Sequence, residues 1–296
     1  MPRTTHDGVT LEYETHGDTV DPALLLIMGL GAQLTLWPIE LVEALVAKGF
    51  FVIRHDNRDI GLSTKFIEAG VPDMQSVVMA MMGGKKPDIP YTLSDMAADA
   101  VAVLDAAGVD KAHVVGASMG GMIAQLVAVE HPDRVLSLTS IMSTTGNPML
   151  PPARPEAMAA LTAPISPQAS LAEVLERGAM VSKAIGSPGY PSDARRLQER
   201  IERDFRRSFH PTGPARQMAA IVADGDRRER LAKITAPTLV IHGADDPLVP
   251  VEGGRDTADA IPGAKIKENS GMGHDLPLAL VDEIAEAIAE HAKVVA

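Results

Sequence analysis

The sequence predicts an α/β protein with a mostly parallel central sheet and helices on both of its faces. Three observations carry this. Apolar, β-branched runs recur along the chain, and helical patterns separate them. A serine set among glycines, in "VVGASMGGM" at 114–122, sits where one such run meets one such helix. Continuous apolar runs read as strands buried on both faces, and strand–helix alternation aligns such strands in parallel.

The bulk properties bound what such a fold does. With 296 residues, 46% of them hydrophobic, the chain is long enough for one large domain. It has no cysteine, which excludes disulfides and thiolate chemistry and suits a reducing compartment. The formal net charge of −12 comes from scattered acidic residues and argues against nucleic acid or an anionic membrane as partner. The N-terminal "MPRTTHDGVT" lacks the apolar stretch of a signal peptide, and "ALLLIMGLGA" is too short to span a bilayer. A cytoplasmic protein is expected, and a homodimer is compatible with the sequence.

In chain order, "ALLLIM" (23–28) is a strand running into the loop "GLGA", and a helical pattern at 38–48 leads to the strand "FFVIRHD" (50–56). Residues 65–91 read as a long loop holding Met74, Met79, Met81 and Met82. Methionine adapts to irregular apolar partners, so this loop is expected to help wall an apolar pocket; ordinary packing is the plainer alternative. A helix at about 93–107 follows, with Thr92 as cap, Asp95 three places on, and Leu93, Met96, Ala100, Val103, Leu104 and Ala107 on one face. The strands "KAHVVGAS" (111–118), "RVLSLTSIM" (134–142) and "APTLVIHG" (236–243) come next, then a strand-like "AKIKE". A final helix at about 278–293 aligns Val281, Ile284, Ala285 and Ile288 in a stripe, with His291 assigned to its solvated side.

Residues 144–225 differ. They open with four prolines in "NPMLPPARP" and continue with helical stretches such as "SLAEVLERGAMVSKAI" and "SDARRLQERIERDFRRSF". A helical cap at 144–225, inserted into a core made of 1–143 and 226–296, is expected from a long insertion at this end of a sheet. Helices laid on the outer face of the sheet are the alternative.

Gly116-Ala117-Ser118-Met119-Gly120 fits G-x-S-x-G, the turn in which a strand reverses into a helix and thrusts a serine hydroxyl outward. The bare pattern arises by chance in about one chain of this glycine content in ten, so context decides. Here "HVVGAS" reads as a buried strand, and "GGMIAQLVAVE" as a helix with Met122, Ile123, Leu126 and Val127 apolar. Glycine at 116 and 120 removes the Cβ atoms that would collide in so tight a reversal. A glycine-rich turn whose serine merely caps the helix is the competing account.

A serine hydroxyl needs a base, and the base an orienting acid; in this kind of turn the chain order is nucleophile, acid, histidine. Of the nine histidines, only His242, His274 and His291 lie beyond the helical insertion. His242 belongs to a strand and His291 to the last helix. His274, in the small-residue loop "NSGMGHDLP", is the candidate base. Asp245 and Asp246, after the strand "TLVIHG", are both placed to be the acid; both are also suited to an ordinary turn. Donors for a developing oxyanion would be the Met119 amide, at the start of the helix, and the Leu30 amide, where Gly29 and Gly31 let the backbone come close.

Together "LLLIMGLG", "DNRDIGLS", "GASMGG", "GADDPLVP" and "GMGHDLP" resemble the α/β-hydrolase superfamily. Its acid motif, a glycine followed two residues later by the aspartate, selects Asp246 over Asp245. Its H-G-x-G oxyanion loop corresponds to Met28-Gly29-Leu30-Gly31, without the histidine. Its D-x-R-G-x-G-x-S stretch has Asp59 in place of glycine. Within the superfamily, "RHDNRDIGLS", "HVVGASMG" and "GMGHDLP" are most similar to bacterial carboxylesterases like aclacinomycin methylesterase. The resemblance implies an α/β-hydrolase fold with an inserted cap. It also implies a serine carboxylesterase acting on a lipophilic ester through an acyl-enzyme, with no metal and no organic cofactor. Thioesters, lactones, amides and perhydrolysis use the same residues, and a non-catalytic ligand-binding module is a reading from another class.

Overall fold

A computed structural model of the chain describes residues 2–295. Eight strands form one sheet: β1 (Arg3–His6), β2 (Val9–His16), β3 (Ala23–Ile27), β4 (Phe51–His55), β5 (Ala112–Ala117), β6 (Val135–Ile141), β7 (Thr238–Gly243) and β8 (Lys265–Asn269), in the order β1-β2-β4-β3-β5-β6-β7-β8. The six strands from β4 to β8 pair in parallel, while β1 and β2 add an antiparallel edge. The α/β expectation holds, and the antiparallel edge is an addition to it.

The eleven helices are α1 (Ile39–Ala47), α2 (Met74–Met82), α3 (Leu93–Ala106), α4 (Met119–Glu130), α5 (Pro155–Thr162), α6 (Leu171–Ile185), α7 (Ala194–Arg207), α8 (Gly213–Asp224), α9 (Arg228–Leu231), α10 (Val251–Ala260) and α11 (Val281–Ala292). Because side chains alternate along a strand, each apolar run feeds two cores. Leu25, Ile27, Ile53 and Val114 pack with Leu93, Met96, Met119 and Ile123 on the α3–α4 face. Leu24, Leu26, Val52 and Val115 pack with Leu41, Val42, Ile284 and Ile288 on the α1–α11 face. The Thr92–Asp95 capping box opens α3 as its sequence pattern requires.

Helices α5 to α8 lie between β6 and β7 in the chain, within the segment that the sequence marks as an insertion. The last of them, α8, is not peripheral: Arg216, Gln217, Ala219 and Ala220 are buried on it.

Three expectations change. The stretch 65–91 contains a helix, α2, whose one buried residue is Val77. Met79 and Met82 are 65% and 85% exposed, so neither walls an apolar pocket. His291 is buried rather than solvated, with Nε2 on the Pro237 carbonyl oxygen at 3.1 Å, because it lies on the buried face of α11 with Ile288 and Ala292. The third concerns Asp59, where the turn survives the loss of glycine. Its φ of 69° is the left-handed conformation that glycine would supply, and buried polar contacts hold it there.

Candidate active site

The strands β3, β5, β7 and β8 run parallel, so their carboxyl ends lie along one edge of the sheet, where open α/β folds bind ligands. Ser118 follows β5 at φ 56°, ψ −122°, a strained conformation for a residue with a Cβ. Two close approaches impose it. A Cβ on Gly116 would lie 2.0 Å from the Gly120 carbonyl oxygen, and one on Gly120 would lie 2.0 Å from that of Ile27. Gly121 is close as well, with a Cβ there 2.6 Å from the Ser143 Cβ. The reversal therefore tolerates no side chain at these glycines, and Ser118 stands partly exposed at its apex.

His274 comes to this serine from the loop after β8. Its Nε2 is 2.9 Å from Ser118 Oγ, and its Nδ1 is 2.7 Å from Asp246 Oδ2. The other oxygen of Asp246 accepts the Leu248 and Val249 amides, each at 2.8 Å. A carboxylate only accepts, so Nδ1 carries the proton of the first bond, and Nε2 is left to accept the serine hydroxyl proton. Asp245 stands apart: it is exposed and takes the Gly271 amide at 2.8 Å. Of the two candidate acids, only Asp246 meets the histidine. His242 lies 3.7 Å from Asp246, but donates to the Val249 carbonyl at 2.8 Å, and burial lowers its pKa.

The insertion grips the His274 loop. The His274 amide donates to the Ile185 carbonyl at 2.7 Å, the Gly273 amide to Ser187 Oγ at 2.9 Å, and the Gly189 amide to the Gly271 carbonyl at 2.9 Å. Ser187 Oγ in turn donates to Asp275, whose carboxyl is pushed up by burial.

Of the sequence candidates for oxyanion donors, Met119 follows the serine directly and Leu30 follows Gly29, which packs against it. Met119 is the first residue of α4, where amide groups have no acceptor within the helix. Gly29 touches the serine itself, since a Cβ there would lie 3.0 Å from the Ser118 Cβ. The loop around Leu30 is held by the first two residues of the "DNRDIGLS" stretch. Asn57 Nδ2 donates to the Met28 carbonyl at 2.8 Å, and Asp56 Oδ1 accepts the Leu34 amide at 2.8 Å. Asp56 also pairs with Arg207, at the end of α7, at 2.7 Å; burial still pushes its pKa up. Arg216 on α8 clasps Asp59 through two bonds of 2.7 and 2.8 Å, and Tyr91 donates to the same carboxylate at 2.6 Å. Burial alone would raise Asp59, but Arg216, Tyr91 and the Phe66 amide together hold it below the ordinary carboxylate range.

Among the described residues no group of three or more His, Asp or Glu side chains is arranged to hold a metal ion, and no helix is long and apolar enough to cross a membrane.

The sequence profile of the alpha/beta hydrolase fold family matches residues 22–278. The chain belongs to that family. Among curated members, it is 34% identical to the rhodomycin D methylesterase DnrP of Streptomyces peucetius, over 98% of this chain and 97% of that one. It is 31% identical to a putative carbamate hydrolase, RutD, of Variovorax paradoxus, over 85% of this chain and 84% of that one. Among solved structures, the enol-lactonase of Burkholderia xenovorans superposes with a TM-score of 0.71 at 22% identity, covering 99% of this chain and all of the other. At that identity the superposition speaks for the fold alone. Among its alpha/beta hydrolase relatives, this chain takes its place as an esterase-type hydrolase.

Proposed function

We propose that the protein is a serine carboxylic-ester hydrolase that works through an acyl-enzyme. The observation that carries this is the unbroken chain Asp246–His274–Ser118, with contacts of 2.7 and 2.9 Å, ending on a partly exposed hydroxyl. Ser118 Oγ attacks the ester carbonyl while His274 Nε2 takes its proton. Asp246 holds the ring in the tautomer that leaves Nε2 bare and stabilises the imidazolium as it forms. The negative charge on the former carbonyl oxygen is met by the Leu30 and Met119 amides. His274 then returns the proton to the leaving alkoxide. The acyl-enzyme is opened by water, activated by the same nitrogen, and the carboxylic acid leaves. Each step consumes only ester and water.

The substrate class proposed is a small or medium lipophilic ester. The printed name of the Streptomyces peucetius relative, a methylesterase, supports the ester bond. A lactone is the second reading, favoured by a 27% identical 3-oxoadipate enol-lactonase of Acinetobacter baylyi. It needs the same attack, with the leaving oxygen tethered to the acyl group. Residues 144–225 act in this reading as a cap that closes over the carboxyl edge of the sheet while anchoring the His274 loop.

The test is mass spectrometry after a fluorophosphonate probe, together with a panel of p-nitrophenyl esters and simple lactones. A phosphonyl adduct on Ser118, with turnover lost in Ser118→Ala, is the expected result. Adducts elsewhere, or tight ester binding with no turnover, would overturn it in favour of a binding module.

A further inference from the structure

The family's oxyanion loop carries a histidine where this chain has Met28, so another group must fix the loop. We infer that Gln217, on α8, is the positioning residue that sets the Leu30 amide toward the oxyanion; the inference rests on the esterase reading of the site.

The geometry is specific. Gly29 to Ala32 form a turn closed by the Ala32 amide on the Gly29 carbonyl at 3.3 Å, with Gly31 at φ 68° in its third position. Leu30 is absent from the residues with positive φ, so the turn is of type II, whose central peptide is the one between Leu30 and Gly31. A half-rotation of that peptide gives the competing type I turn and changes the backbone angles on both sides of it. Gln217 blocks the rotation. Its Oε1 accepts the Gly31 amide at 2.8 Å, and its Nε2 donates to the Arg58 carbonyl at 2.9 Å. Rotating the peptide would turn the Leu30 carbonyl toward Oε1, oxygen against oxygen, against a buried side chain and with the peptide itself only partly open to solvent.

The other side of Leu30 is fixed independently, by Asn57 on the Met28 carbonyl and by the approach of Gly29 to Ser118. Leu30 is thus bounded on both sides: Gln217, from a helix of the insertion, holds the peptide after it, the Ala32 amide holds the Gly29 carbonyl in the plane that carries the Leu30 amide, and Asn57 holds the peptide before Gly29. The ion pair between Asp59 and Arg216, the residue before Gln217, pins α8 at the required height. The insertion therefore completes the electrostatics of the site as well as covering it. Donors act in proportion to how well they are aimed before the charge arrives.

Gln217→Met keeps the bulk and removes both bonds. It is expected to lower kcat/KM by about 10- to 100-fold with KM within about twofold, since only the charged tetrahedral state loses a contact. Affinity for a trifluoromethyl ketone, whose hemiketal with Ser118 carries an oxyanion like that of the tetrahedral state, should fall by the same factor. Gln217→Glu, which burial keeps protonated, retains an acceptor for the Gly31 amide and a hydroxyl donor for the Arg58 carbonyl, and should recover both to within about threefold of the wild type. If Gln217→Met does not fold, Gln217→Asn, one methylene short of the same partners, carries the comparison. A loss of rate with unchanged ketone affinity, or no loss at all, overturns the inference. Hydrolysis persisting in Ser118→Ala would overturn the esterase reading and this inference with it. Hydrolysis that needs Ser118 but ignores Gln217 overturns the inference alone.

Discussion

Asp59 and Arg216 are 157 residues apart in sequence and share a two-bond ion pair with both side chains out of contact with solvent. One belongs to the turn after β4, the other to the last helix of the insertion. The pair is therefore a tie between the turn after β4 and a helix that lies between β6 and β7 in the chain. Removing one partner leaves the other charge buried and uncompensated, a situation that typically costs about 3–5 kcal/mol. Arg216→Met alone should lose about that much in urea unfolding. Asp59→Gly should lose less, because glycine relieves the left-handed backbone at this position. The double variant should be more stable than the sum of the two by about 2 kcal/mol. Additive losses would show that the charges do not sense each other.

The serine turn gives a sharper structural test. A Cβ at residue 120 would sit 2.0 Å from the Ile27 carbonyl oxygen, a backbone atom with nowhere to go inside the sheet. Gly120→Ala should therefore destabilise by more than about 3 kcal/mol or fail to fold. Gly108→Ala is the control. Unlike Gly120, Gly108 has a positive φ, of 72°, but its Cβ would meet nothing within 4 Å, so only backbone strain is charged to it. Its expected loss is about 1–2 kcal/mol, read from the same urea midpoints. Equal losses at the two positions would mean that the collision with β3 is relieved by movement.

The parts of this fold that could be read from sequence are those in which one residue type has one physical role. Leu24 to Ile27 and Val114 to Ala117 announce buried parallel strands, because no half-exposed element tolerates such runs. Ser118 and its glycines announce their own turn, and His274 and Asp246 follow from chain order and register. The edge strands β1 and β2 did not announce themselves, since "RTTH" has no apolar residue and "VTLEYETH" alternates apolar with polar residues without a long apolar run. Helix α2 was hidden by methionines that face solvent. Gln217 was hidden because a lone glutamine in a helix matches no motif. The signal that pointed toward it was indirect: two of the family's usual supports, a histidine at 28 and a glycine at 59, are replaced here, and α8 carries Arg216 and Gln217 among buried alanines.

Two buried histidines set a pH dependence for stability. Burial lowers His55 from 6.5 to about 4, opposed only by the nearby Asn57 side chain. Burial, and then the charge of His291, lower His113 from 6.5 to about 4. With the folded pKa below the unfolded one, the unfolded chain binds more protons between these values, so stability is full above pH 6.5 and falls as the pH drops toward 4. Over that window His55 alone accounts for up to about 3 kcal/mol, at 1.36 kcal/mol per pH unit. Urea midpoints taken from pH 7 down to about 4.5 should therefore decline in the wild type and decline less steeply in His55→Leu. A parallel decline in the two proteins would assign the acid sensitivity to other groups.

The last expectation concerns how the three residues of the candidate triad share their effect. Among the described residues, Ser118 Oγ bonds to no base but His274 Nε2, and His274 Nδ1 bonds to no acid but Asp246. Ser118→Ala and His274→Ala should each lower kcat by a factor on the order of 10⁴ or more. Their double variant should lose little beyond either, since a base without its nucleophile has nothing to activate. Asp246→Asn should also fall steeply, because an amide offers its NH₂ to Nδ1 as readily as its oxygen and favours the wrong tautomer. The Leu248 and Val249 amides accentuate this: they occupy Oδ1 as an acceptor, which turns the NH₂ of an asparagine toward the histidine. Circular dichroism spectra and urea midpoints near those of the wild type would place the loss in the chemistry rather than the fold. Multiplicative losses in the Ser118→Ala, His274→Ala pair would mean that the two side chains act in separate steps, and the relay written for the site would then fail.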